Sequence, residues 1–170
     1  MKEIMLKRKA YSFLLDWRRT KNAECLLIKG ARQTGKTYLV EAFGRNEYQS
    51  FIEINFLENP QLKQIFEGSI SAKDIYKKLT LLLPGKKLIP NNTLIFLDEI
   101  QQCSKARTAL KFLAQDNSFD VIASGSLLGL HYGTDADSEV SAVESIPVGY
   151  ETQYVMYSLD FIIDILIKAR

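Results

Sequence analysis

The sequence predicts a three-layer α/β domain, a mainly parallel central sheet flanked by helices. Three observations carry this reading. Short apolar runs alternate with segments of helical period along most of the chain. Two of the runs, CLLI and LIFL, are apolar without a break, as strands buried on both faces are. The first run feeds a glycine-rich turn that opens straight into a helix-like segment. The 170 residues suit one domain with a sizeable core.

The elements follow in order. KEIMLKRKAYSFLLDWRR places Ile4, Leu6, Tyr11, Leu14, Leu15 and Trp17 at helical spacing, with basic residues turned outward. It forms an N-terminal helical segment, residues 1–22, ahead of a core spanning 23–170. AECLLIKG is a buried strand, and TGKTYLVEAFGRN is a helix with Gly44 as its expected stop. SFIEINF alternates Ile52, Ile54 and Phe56 with polar residues, as a second strand does. NPQLKQIFEG begins with Asn59 and Pro60, a helix-start signal. SAKDIYKKLTLLL starts with Ser71 and Asp74 in a capping-box arrangement.

PGKKLIPNN is a loop, and TLIFLDEI is a strand ending in two carboxylates. QQCSKARTALKFLAQD places Ala109, Leu110, Leu113 and Ala114 on one helical face. FDVIASGS is a further strand with a small polar exit. HYGTDADSEVSAVES reads as a loop, IPVGYETQYVMYSLDF as a last strand, and DFIIDILIKAR as the start of an amphipathic helix.

Composition narrows the function classes. Net charge is +2, so no global field demands a nucleic-acid partner, although Lys2, Lys7, Arg8, Lys9, Arg18, Arg19 and Lys21 crowd the start. Cys25 and Cys103 lack metal-ligand spacing and read as buried, reduced thiols of a cytoplasmic protein. No apolar stretch approaches the roughly 18 residues a membrane span needs, so no membrane partner is expected.

The chemistry concentrates in GARQTGKT, residues 30–37, which satisfies the G-x-x-x-x-G-K-[ST] phosphate-loop pattern in full. Chance matches to four such positions arise in roughly one chain of this length per hundred. Gly30 and Gly35 let the backbone curl so that successive N–H groups face phosphate oxygens, and the following helix presents its positive end. Lys36 would reach the β- and γ-phosphates, and the Thr37 hydroxyl would ligate Mg²⁺. Ala31, Arg32, Gln33, Thr34 and Tyr38 complete the expected ATP-binding loop.

A second cluster sits at the end of LIFLDE. Asp98 lies where open α/β sheets bind ligands and would hold the magnesium shell, and Glu99 would polarise an attacking water. Ser124 or Ser126, at the exit of DVIASGS, would contact that water or the γ-phosphate. Gln101 and Gln102 could orient water or simply start a helix, and the lone His131 reads as a loop residue.

Taken together, IKGARQTGKTYLVEAFG, LIFLDEIQQCSKARTALKFLAQD, VIASGSLLG and IPVGYETQYVMYSLDF resemble a bacterial and archaeal AAA-type ATPase family. In that family a P-loop domain precedes a carboxy-terminal domain of unknown function. The resemblance implies ATP and Mg²⁺ as cofactors, with phosphate contacts at Gly35, Lys36 and Thr37. It implies metal at Asp98, the catalytic carboxylate at Glu99 and the γ-phosphate sensor at Ser124 or Ser126. It also implies that the sensor strand lies between the P-loop strand and the acidic strand.

Two departures stand out. Tyr150 occupies the position after PVG where the family usually has an arginine, a potential charge-stabilising finger. The sequence also stops at Arg170, before the helical lid and the carboxy-terminal domain that the resemblance implies. The leading expectation is therefore Mg²⁺-dependent hydrolysis of the ATP β–γ bond. A nucleotide-dependent binding module with little turnover, acting on an unknown protein partner or as a homo-oligomer, and a nucleic-acid-associated ATPase stand as alternatives.

Overall fold

The structure, a computed structural model, describes residues 9–20, 22–126 and 149–157. Helix α1 spans Lys9–Thr20, strand β1 Cys25–Gly30, helix α2 Lys36–Glu47 and strand β2 Ser50–Asn55. Helix α3 spans Ala72–Leu82, strand β3 Thr93–Asp98, helix α4 Ser104–Asp116, strand β4 Asp120–Ser126 and strand β5 Glu151–Met156. The five strands form one sheet in the order β2-β3-β4-β1-β5, and every neighbouring pair is parallel.

The sheet is the middle layer of three. Successive residues of a strand point to opposite faces, so β1 sends Leu26 and Ile28 one way and Leu27 the other. The same alternation sends Leu94 and Phe96 to one face and Ile95 and Leu97 to its opposite. Central strand β3 is buried at every position, which explains its unbroken apolar run. On one face α1 and α2 cover the sheet with Ala10, Leu14, Trp17, Leu39, Val40 and Phe43. On the other, α3 and α4 supply Ile75, Leu79, Ala109, Leu110 and Leu113. The expected three-layer α/β architecture is present, and β4, the strand on which the sensor serine is expected, lies between β1 and β3.

Local chemistry explains most element boundaries. Ser71 caps α3 as expected: its hydroxyl accepts from the Asp74 N–H at 3.2 Å and donates to the Asp74 carboxylate at 2.7 Å. Asn59 does not cap in this way. The segment after it is a 3-10 turn, Pro60–Phe66, that drives Ile65 and Phe66 into the core. Gln101 and Gln102 belong to a second 3-10 turn, Ile100–Gln102, ahead of α4.

Gly44 corrects another expectation, because α2 runs past it to Glu47. A Cβ on Gly44 would stand 2.3 Å from the Phe51 ring, which itself stacks on Phe96. The glycine is there for close approach of helix and strand. Gly44→Ala gains helix propensity of about 1 kcal/mol but overpacks this contact at a cost of about 1–3 kcal/mol. We expect a net loss of stability, read as a lower urea midpoint at unchanged m-value.

The amino-terminal helix is also less outward-facing than its charge pattern predicts. Its buried positions are Ala10, Leu14 and Trp17, and Leu15, one step round the helix, is 40% exposed. Arg18 pairs with Glu47 at 3.3 Å and lies 4.2 Å over the Tyr48 ring, while Arg19 pairs with Asp16. Tyr11 also donates to Glu47, at 3.1 Å. Arg18 therefore clamps α1 to the end of α2 and is spent within the fold. No helix among the described residues is long and apolar enough to cross a membrane. The loop containing His131, the other basic residues at 2, 7, 8 and 21, and the expected last helix lie outside the described residues.

Candidate functional site

The carboxyl ends of β1, β2, β3 and β4 converge, and each contributes one polar side chain or turn to a single cluster. Strand β1 ends at Gly30, and the loop 31–35 carries the chain into α2. A Cβ on Gly30 would come within 2.6 Å of the Met156 carbonyl on β5, so only glycine lets the loop leave the sheet here. Gly35 takes φ 83°, ψ 22° immediately before the helix, a left-handed conformation that glycine adopts without strain. No side chain among the described residues caps this helix end. The first-turn amides of Lys36, Thr37 and Tyr38 lack partners within the helix, whose first backbone bond runs from Leu39 N–H to Gly35 O.

Lys36 is buried, and its Nζ donates to Gly30 O at 3.1 Å and Ala31 O at 2.7 Å. Thr34, also buried, lies 3.4 Å from the same ammonium through Oγ1. Burial lowers the pKa of the Lys36 ammonium below the ordinary lysine value, and the Glu99 and Asp98 carboxylates oppose that shift. The lysine thus folds back on its own loop.

Asp98 is the hub. It is 1% exposed, and its Oδ2 accepts from Thr37 Oγ1 at 2.9 Å and Asn55 Nδ2 at 3.1 Å. Its Oδ1 accepts from the Ser124 hydroxyl and from the Glu99 N–H at 3.1 Å. Burying a carboxylate is costly unless donors surround it, and four donors from four segments do so here. Thr37 and Asp98, paired in the sequence only by motif, are in direct contact.

Glu99 follows in a left-handed conformation, φ 55° and ψ 46°, which a non-glycine residue rarely adopts. Its carboxylate accepts from the Gln101 side-chain amide. Ser124 and Ser126 both lie on β4, but they differ in place. Ser124 is fully buried against Asp98, whereas Ser126 is half-buried at the strand end, in register with Gly30. Ala31, Arg32 and Gln33 are exposed on the loop, and Tyr38 is 64% exposed in the first turn of α2.

Asn55 was not among the residues expected here. It stands opposite Asp98 in the β2–β3 register, and its Oδ1 accepts the N–H groups of Leu57 and Glu58 at 3.0 Å each. A polar residue closing an otherwise alternating strand was the available signal, but only the parallel register reveals its partner.

Tyr150 lies elsewhere. Strand β5 begins beside Cys25 and reaches the phosphate loop only at Met156. Residue 150 therefore sits at the opposite end of the sheet, about 20 Å of strand away. There Tyr150 packs on the core, accepts from Gln115 at 3.3 Å and lies under Lys111. An arginine at this position would not reach the phosphate loop of its own chain, so its absence removes nothing from this cluster.

The sequence matches the family model described as an AAA domain over residues 22–162. That span covers most of the chain and contains every member of the cluster. The chain belongs to the AAA domain family. The fold of this AAA domain is similar to that in the structure of C. elegans PCH-2, with a TM-score of 0.50 at 11% identity. The match covers 88% of this AAA domain and 41% of that chain, so the domain spans about two fifths of its neighbour's length. No curated protein matches the sequence. Family membership makes this an ATP-binding AAA domain of P-loop architecture.

Proposed function

We propose that the domain binds ATP with Mg²⁺ and hydrolyses the β–γ phosphate bond. The observation that carries this reading is the direct Thr37–Asp98 contact beside a buried Lys36 and a glycine turn whose following first-turn amides have no partner within the helix. Each part matches a requirement of phosphoryl transfer, which is mostly positioning and charge stabilisation.

The first-turn amides and Lys36 bind the phosphates. Lys36 would exchange the Gly30 and Ala31 carbonyls for β- and γ-phosphate oxygens. A hydroxyl and one carboxylate are the hard oxygen donors that Mg²⁺ accepts while keeping several waters, so Thr37 and Asp98 fit that ion. When bound, Mg²⁺ would neutralise charge between the β- and γ-phosphates. Asn55 and Ser124 hold Asp98 in the orientation that duty needs. Glu99 would accept a proton from water as its oxygen attacks the γ-phosphorus and the bond to the bridging oxygen breaks. Ser126, at the strand end, is the serine left to face the γ-phosphate, since Ser124 is committed to Asp98.

Calorimetric titration with an ATP analogue, with and without Mg²⁺, together with steady-state phosphate release tests the proposal. Binding strengthened by Mg²⁺ and accompanied by turnover is expected. Absence of binding would overturn it, and binding without turnover would establish a nucleotide-dependent switch instead.

The lowered Lys36 pKa adds a pH signature. The ammonium form binds phosphate, so affinity is complete below the Lys36 pKa and declines above it. Because that pKa lies below the ordinary lysine value, the decline should begin well before an exposed lysine deprotonates. We expect the Kd for the ATP analogue to rise at a pH below the range in which an exposed lysine loses its proton. A Lys36→Arg variant that still binds should show a flat profile, since guanidinium keeps its proton.

A further inference from the structure

We infer that Gln101 is a positioning residue for Glu99, setting the direction of the carboxylate that acts on the attacking water. This rests on the reading of Glu99 as the general base. Two independent local costs converge on the Gln101–Glu99 contact. The first is backbone strain, since Glu99 holds φ 55°. The second is an orphan acceptor: the Gln101 amide nitrogen donates to Glu99 Oε2, but its Oε1 is sealed from solvent without a donor among the described residues. A buried acceptor without a partner is unfavourable, and a side chain placed for packing alone would not need to carry one.

The geometry explains why both costs fall together. In a helix, side chains two positions apart do not face each other. Glu99 and Gln101 meet because the left-handed turn at Glu99 breaks the helical course just before the 3-10 turn Ile100–Gln102. Fully buried Ile100 pins that turn to the core, and the Gln102 N–H closes it on Glu99 O at 2.9 Å.

The contact also answers an electrostatic question. Glu99 is the foremost charge favouring the Lys36 ammonium, ahead of Asp98. Yet the lysine donates to loop carbonyls, and no ion pair joins Lys36 to Glu99 among the described residues. The Gln101 amide bond to Glu99 Oε2 holds that carboxylate on a partner other than the lysine that must receive phosphate.

Gln101→Met keeps the length of the side chain and removes both polar atoms. It should lower kcat about tenfold with KM and analogue affinity unchanged, as loss of orientation does. In a Glu99→Gln background the same substitution should have no further effect on kcat. Wild-type kcat in Gln101→Met, or an equal further loss in the Glu99→Gln background, would overturn the inference. The side-chain amide resonances of Gln101 give a readout that does not depend on turnover. They should be displaced from free-glutamine positions in the wild type and return to them in Glu99→Ala. Unchanged resonances would overturn the contact itself, whereas a displaced pair in a chain without phosphate release would instead count against Glu99 as a base.

Discussion

Glu99→Gln is expected to lower steady-state phosphate release by about 10²- to 10⁴-fold while ATP remains bound. The substitution preserves shape and removes only the capacity to take a proton, which in general base catalysis is worth about 10²- to 10⁴-fold in rate. The Gln101 amide can still donate to a glutamine carbonyl at position 99, so the strained turn should survive. Thermal unfolding should therefore stay within a few degrees of wild type. Phosphate release measured alongside analogue binding checks the split. Equal turnover in variant and wild type would remove Glu99 from the chemistry and leave the phosphate loop as a binding device.

Lys36→Ala is expected to have the second large effect, this time on binding. A charge-assisted hydrogen bond between lysine and phosphate contributes about 3 kcal/mol, or roughly a hundredfold in Kd. The variant also frees the Gly30 and Ala31 carbonyls that the ammonium now holds. Ala31 is exposed, so water can replace the lysine at its carbonyl, whereas the buried Gly30 carbonyl loses a donor; the fold should persist with somewhat lower stability. Titration of the ATP analogue reads the loss directly, and circular dichroism reports whether the α/β structure is retained. Unaltered affinity would mean that nucleotide binds elsewhere.

Much of the architecture was legible from the chain. CLLI and LIFL read as buried strands because strands covered on both sides have no use for alternation, and β1 and β3 lie inside the sheet. GARQTGKT was equally readable, since the demand for glycine at two bends, with lysine directly after the second, is imposed by local backbone geometry. The capping pair Ser71 and Asp74 belongs to the same class of local signals.

Other features were invisible for one shared reason: their cause is a partner far away in sequence. Gly44 looked like a helix stop because glycine usually ends helices, and nothing near it in the chain announces the Phe51 ring. Arg18 looked like part of a solvated basic face, yet Glu47 and Tyr48 hold it. Tyr150 stands where the resemblance implies an arginine, and only the β1–β5 register shows that this position is far from the phosphate loop of its own chain.

By itself, then, the sequence determined the α/β class, the phosphate loop and the two adjacent carboxylates, because each is written in residues that are neighbours along the chain. Only the tertiary structure decided that Asn55, Ser124 and Thr37 share Asp98, and that Gln101 turns back on Glu99. Parallel strands bring together side chains tens of residues apart, and a left-handed turn reverses a side chain within two. Neither outcome follows from spacing, since both depend on register and dihedral angle, which the packed sheet selects.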